Sequence, residues 1–132
     1  MKLLITGGAG FIGSNFILDR INKEDKVVNL DKLTYSGNLN NLLSVQNNEN
    51  YSFIRGDIGD RPLVRKLLSE FRPDAVVNFA AETHVDRSVI DPESFVKTNV
   101  LGTSNLLLEA LDYWKSLSQE KRAKFRFQHI ST

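Results

Sequence analysis

The sequence predicts an α/β fold: a parallel sheet wound on both faces by helices. Three observations carry this reading. Strand-length apolar runs at residues 2–5, 27–30 and 75–79 alternate with stretches whose apolar residues recur at helical spacing. The run at 75–79 is apolar nearly throughout, as a strand covered on both faces should be. The first run also breaks into glycines at Gly7 before the chain resumes as a helix, and that strand, tight turn and helix order the rest of the chain.

Taken in order, the first strand leads through residues 6–13 (TGGAGFIG) into a helix marked by Phe16, Ile17 and Ile21. Gly8, Gly10 and Gly13 satisfy G-x-G-x-x-G, and Gly7, Gly10 and Gly13 satisfy the looser G-x-x-G-x-x-G. Glycine permits the turn and lets a pyrophosphate approach the main chain, and the helix N-terminus meets its charge. The alternative is a glycine-rich turn with no ligand. The second strand favours the ligand, because it ends in Asp31 about 20 residues further on, where a carboxylate can accept from both ribose hydroxyls and repel a 2′-phosphate. That pattern predicts NAD rather than NADP, although Lys32 could soften the repulsion.

Residues 32–38 form a polar loop, either a solvated connection or a contact to the adenosine, before a short helical stretch around Leu39, Leu42, Leu43 and Val45. The turn cluster at 47–50 precedes a strand at 51–55, which ends at Gly56-Asp57-Ile58. Asp57 either accepts from an adenine amino group, with Ile58 packed on the ring, or caps the turn. Asp60, as N-cap, and Pro62, in the first turn, start a helix with the stripe Leu63, Val64, Leu67, Leu68 and Phe71 that stops at Arg72-Pro73. The fourth strand runs out into residues 80–87, where small residues allow a cofactor to lie against the backbone.

Asp91-Pro92 and Glu93 open a long helix to about Trp114, with a core face of Phe95, Asn99, Thr103, Leu106, Leu107, Ala110, Leu111 and Trp114. Asn99 on that stripe needs a partner, either a neighbouring backbone or an active-site water. Residues 116–124 read as a polar connection and 125–132 as a last strand, with His129 structural and His84, at a strand end, the better functional candidate. The resulting order implies five strands wound 3-2-1-4-5, a Rossmann-type sheet whose carboxyl ends meet at one crevice, with Thr132 at its edge.

Composition narrows the classes. A chain of 132 residues, 41% hydrophobic and 25% charged, fits one globular domain, and a net charge of +1 gives no electrostatic case for nucleic acid. The absence of cysteine excludes disulfides, thiolate catalysis and cysteine metal sites, and no metal is called for. The apolar run after Lys2 collapses into glycine too soon for a signal peptide, so a cytoplasmic, membrane-free protein is expected.

With these residues in view, the segments TGGAGFIG, DKLTYSGN (31–38), GDI (56–58), FAAETHVDRS (79–88), TNVLGT (98–103) and HIST (129–132) resemble the amino-terminal part of the dTDP-glucose 4,6-dehydratases, extended members of the short-chain dehydrogenase/reductase superfamily. The resemblance covers the whole chain. Thr83 departs mildly from it, standing where the family often has serine. It implies a lyase reaction at tightly held NAD: hydride leaves glucose C4, water is lost across C5 and C6, and hydride returns to C6. The product would be a 4-keto-6-deoxy sugar for deoxysugar (rhamnose-type) and surface polysaccharide synthesis.

By position, the resemblance gives a cofactor set of Gly7, Gly10, Phe11, Ile12, Gly13, Asp31, Lys32, Leu33, Thr34, Asp57, Ile58, Phe79, Ala80, Ala81, Glu82, Thr83 and Thr98. It places Thr83 and His84 near the sugar or its diphosphate and gives Thr132 a hydrogen bond to the sugar 4-hydroxyl, its one catalytic assignment here. In the family an Asp-Glu pair follows directly, and a Tyr-x-x-x-Lys pair comes later. Residues 1–132 are therefore expected to be an incomplete NAD-binding domain, truncated after the fifth strand, lacking the substrate lobe and inactive alone. Full-length members commonly form homodimers through two helices per subunit. The competing readings are a dehydratase or epimerase acting on another nucleotide sugar, and a non-catalytic dinucleotide-binding module.

Overall fold

The computed structural model describes residues 1–34, 37–83 and 85–131. Five strands form one parallel sheet in the order β3-β2-β1-β4-β5: β1 (Lys2–Thr6), β2 (Lys26–Asp31), β3 (Tyr51–Arg55), β4 (Ala75–Asn78) and β5 (Arg126–His129). This is the Rossmann-type winding the sequence predicts. Side chains alternate along β1. Leu3 and Ile5 join Ile17, Ile21, Leu42 and Val77 on one face, while Leu4 joins Val64, Leu68, Val76 and Leu106 on the other. Burial on both faces is why the middle of this central strand, Leu3 to Ile5, is apolar at every position.

Helix α1 (Phe11–Asn22) covers the first face together with a 3₁₀ turn, Leu39–Val45. Helix α2 (Arg61–Phe71) covers the second. Asp60 caps it by accepting from the Leu63 N–H at 3.2 Å, and Arg72 closes it in the left-handed conformation at φ +52°. The long helix is more complex than its sequence suggests. Helix α3 (Val85–Ile90) precedes it, inside the segment expected to be loop. The rod itself consists of α4 (Pro92–Val96), a π segment (Lys97–Gly102) and α5 (Thr103–Ser116), with helical dihedrals at both junctions. A short α6 (Gln119–Lys124), capped by Ser118, replaces the expected connection at 116–124, and the last strand stops at His129.

The buried face of α5 also differs from expectation. Leu106, Glu109, Ala110 and Tyr113 face α2, whereas Leu107 and Leu111 stay 45% and 44% exposed and Trp114 36% exposed. The helix carries two neighbouring apolar rows, and spacing alone does not say which one the sheet covers. Glu109 decides it. Its carboxylate, 1% exposed, receives Arg61 Nε at 2.9 Å and Arg65 Nη2 at 2.8 Å, tying α5 to α2. These hydrogen bonds, that from Arg65 foremost, hold Glu109 below the usual carboxylate range despite burial.

Candidate functional site

The carboxyl ends of the strands open onto a cleft of about 520 Å³ beside β1, where the strand order reverses. Its floor is the loop between β1 and α1. Gly7 there adopts φ +70°, and a β-carbon on it would sit 2.5 Å from Ala80 N, so both conformation and space require glycine. A β-carbon on Gly13 would fall 2.6 Å from Gly7 O, which keeps α1 tight against the loop. Gly10 differs, because a β-carbon there would meet only Gly7 O at 3.5 Å and otherwise open space.

Gly7, Gly10 and Gly13 line the cleft; Gly8 instead faces the interior against Asn29 and Ile17. Of the two overlapping glycine patterns, the looser one therefore borders the cleft. Gly10 is also the N-cap of α1, with no side-chain cap and no acidic residue in the first turn. The first N–H groups of the helix are left for an outside acceptor at the positive end of its dipole.

Asp31 closes the next side of the cleft. Only 8% exposed, it accepts from Ala9 N at 2.8 Å through Oδ2 and from Leu33 N at 2.8 Å through Oδ1. Leu33 reaches it by adopting φ +57°. Leu33, expected in the lining, lies outside it and acts through its N–H on Asp31. The Ala9 carbonyl accepts from Asn38 N at 3.0 Å and Asn41 Nδ2 at 3.3 Å, so the glycine loop is braced from the β2 side.

Asp57 does cap its turn, accepting from Gly59 N at 2.8 Å, while its second oxygen pairs with Lys32 Nζ at 3.3 Å. Its place in the lining leaves the adenine contact open as well. Ile58 packs beneath it into the core.

The far end of the cleft is built from residues 79–83 and from Thr98 in the π segment. Phe79 donates its N–H to Thr6 O at 2.8 Å and packs its ring against Phe16 in a tilted pair, 5.4 Å between centroids and 52° between planes. Asn99 resolves as a backbone clamp, accepting from Glu82 N at 2.8 Å and donating to Glu82 O at 3.0 Å. His84 and Thr132, the substrate and catalytic candidates, lie outside the described residues, as do Tyr35 and Ser36 of DKLTYSGN. All the other expected cofactor residues, from Gly7 to Thr98, line the cleft apart from Leu33.

Sequence reasoning missed some supports. Asn29, fully buried in β2, accepts from Gly8 N at 3.0 Å and donates to Tyr51 OH at 3.2 Å. Asn78, fully buried at the end of β4, accepts from the Thr6 hydroxyl and from Ala80 N, and its amide nitrogen meets His129 Nδ1 at 3.1 Å. The available signal was the same in both: an amide inside an apolar strand must find partners. Ile130, which also lines the cleft, follows the last strand and gave no such signal.

Among the described residues no group of three or more His, Cys, Asp or Glu side chains is placed to hold a metal, and no helix is long and apolar enough to cross a membrane.

Comparison with known proteins places this arrangement. The family model described as GDP-mannose 4,6 dehydratase matches residues 4–132. A dTDP-glucose 4,6-dehydratase of Xanthomonas campestris pv. campestris (strain B100) is 57% identical over 129 residues, 98% of this chain and 37% of that protein. The structure of dTDP-glucose 4,6-dehydratase from Bacillus anthracis in complex with NAD superposes with a TM-score of 0.82 at 39% identity, covering 100% of this chain and 37% of that one. The enzyme of the same name from Streptomyces venezuelae, also with NAD bound, gives 0.81 at 45% identity, covering 86% and 36%. The chain thus spans a little over a third of the length of these relatives. With the family model matched from residue 4 to residue 132, the chain belongs to the GDP-mannose 4,6-dehydratase family and is similar to the amino-terminal part of the dTDP-glucose 4,6-dehydratases.

Proposed function

We propose that residues 1–132 are the NAD-binding domain of a protein that converts dTDP-glucose to dTDP-4-keto-6-deoxyglucose. The observation carrying the cofactor half is one cleft that joins an uncapped helix N-terminus to a fixed carboxylate at the end of β2. The group fits this chain's residues. The first-turn amides of α1 would take the diphosphate, with Gly10 leaving room above the loop. Asp31 has lone pairs beyond the two N–H bonds it accepts, enough for ribose hydroxyls. Asp57 and Ile58 would meet the adenine, and residues 79–83 with Thr98 the nicotinamide half. NAD, when bound, supplies a hydride acceptor that returns as a donor.

This chain's own side chains would position cofactor and substrate. Asn99 fixes the backbone of Glu82, which holds the edge of the cleft in place. Thr83 and His84 would orient the sugar or its diphosphate, and Thr132 would hydrogen-bond the hydroxyl that is oxidised. The substrate half rests on the relatives' names and on the motifs that resemble theirs. By itself the 132-residue chain would bind NAD without turnover. The exposed row Val96, Val100, Leu107, Leu111 and Trp114 supports a helix-mediated homodimer of the full-length protein. Its place would be cytoplasmic, supplying deoxysugar for surface polysaccharide.

A second reading comes from the matched family model, which carries the name of a GDP-sugar enzyme. Full-length protein should be offered dTDP-glucose, UDP-glucose and GDP-mannose, and its bound nucleotide released by denaturation. Equimolar NAD and a keto sugar from dTDP-glucose alone are expected. A keto sugar only from another substrate would favour the second reading, and NAD without turnover a non-catalytic module. Protein with neither NAD nor turnover would sink all three.

A further inference from the structure

Three acidic side chains, Asp31, Asp57 and Glu82, line the cleft, but Lys32 is the one cationic side chain among its described lining residues. It directly follows Asp31, the position from which a cation beside the ribose can neutralise a 2′-phosphate. Left free, Lys32 would weaken the discrimination that Asp31 provides. It is not left free, because Lys32 Nζ lies 3.3 Å from Asp57 Oδ2. Asp57 is itself anchored, its other oxygen accepting the Gly59 N–H at 2.8 Å. The aspartate is thus tied to its own turn, and the lysine is the partner on a flexible stem.

We propose that Asp57 is a specificity-determining residue that enforces NAD over NADP indirectly, by engaging Lys32. The inference rests on the reading of this cleft as a dinucleotide site. With the ion pair intact, a 2′-phosphate meets the Asp31 carboxylate while the nearest cation is already neutralised by Asp57. Removing the Asp57 charge frees Lys32 to turn toward that phosphate, while the first-turn amides and Asp31 are unchanged.

The test is a double-mutant cycle on full-length protein stripped of nucleotide, with Kd measured for NAD and for NADP in the wild type, Asp57→Asn, Lys32→Met and the double variant. Asn keeps an acceptor for the Gly59 N–H, and Asp57→Ser serves as a second variant of the same design. Any lost adenine contact weakens both dinucleotides alike and cancels in the ratio. Asp57→Asn should shift the NADP to NAD affinity ratio toward NADP by about fivefold, the scale of one exposed ion pair, and the shift should vanish in the Lys32→Met background. An unshifted ratio, or the same shift without Lys32, would overturn the proposal. A wild type that binds NAD tightly keeps the site reading standing in either case, whereas one that binds neither dinucleotide defeats that reading and this inference together.

Discussion

Gly10→Ala separates a phosphate cradle from a merely structural glycine turn. Gly10 has φ −73°, ordinary for any residue, and the added methyl would meet only Gly7 O at 3.5 Å, a normal van der Waals contact. The fold should tolerate it. Alanine is a poorer N-cap than glycine by about 0.5–1 kcal/mol, and the stiffer unfolded chain returns about as much, so stability should move by less than ~1 kcal/mol. Gly10 lines the cleft at the N-cap of α1, so on the dinucleotide reading the methyl would take up space that a pyrophosphate needs there. Displacing the pyrophosphate from the first-turn amides should weaken NAD by about 10- to 100-fold, or ~1.4–2.8 kcal/mol. Gly13→Ala is the contrasting case, since its methyl would lie 2.6 Å from Gly7 O and 2.8 Å from Gly8 Cα, backbone that can relieve the clash only by moving the loop. It should lose both stability and binding. Urea melts and NAD titrations on the same preparations decide the matter. A Gly10→Ala protein that binds NAD as tightly as wild type would refute the cradle.

Other sites yield expectations of different kinds. Glu109→Gln should cost about 2 kcal/mol at neutral pH, discounted because both arginines are partly exposed and regain water. Glu109 is held below its usual pKa of 4.5, so its contribution is present above that value and lost as pH falls through the lower folded value. Wild type and variant should converge in urea melts as pH drops below 4.5, and a gap constant with pH would contradict the ion pair. Asn99→Ala removes both partners of the Glu82 backbone and should speed amide hydrogen exchange over residues 80–83, with unchanged exchange counting against the clamp. Asn78 Oδ1 accepts from Ala80 N–H, so its amide nitrogen donates to His129 Nδ1 and the ring N–H is placed on Nε2. Nitrogen-15 chemical shifts of the ring should report that tautomer and should change in Asn78→Asp, whose carboxylate can only accept.

The parts of this molecule legible in its sequence are those set by backbone geometry. The turn at Gly7 needs a conformation that side chains resist, and the helix start at Asp60 needs an oxygen three residues before an orphan N–H. These demands are local, so they leave local marks. The strand order followed because right-handed crossovers admit few alternatives. The α5 face was not legible, because its determinant is an ion pair between residues 48 and 44 apart in sequence, from Arg61 and Arg65 to Glu109. Helices α3 and α6 escaped for another reason: each is six residues long, under two turns, too short for helical spacing to declare itself.

The same distinction explains the candidate site. Cleft residues could be assigned by position, since they sit where strands end and the ends converge. What holds them in place was harder to read, since Asn29 and Asn99 act on loops 21 and 17 residues away, and Asn78, which grips Ala80 two residues on, is set by Thr6 and His129 on neighbouring strands. Each of these asparagines grips backbone at the loop it supports: Gly8, Ala80 and Glu82. A backbone amide or carbonyl exists at every position, so nothing at the supported residue records the grip. The only trace is the polar residue left in an apolar run. A buried amide in a strand of this fold is therefore a pointer to a loop at a strand's carboxyl end, its own for Asn78 and the neighbouring strand's for Asn29, and with Asn99 from the π segment the three brace the two ends of one cleft.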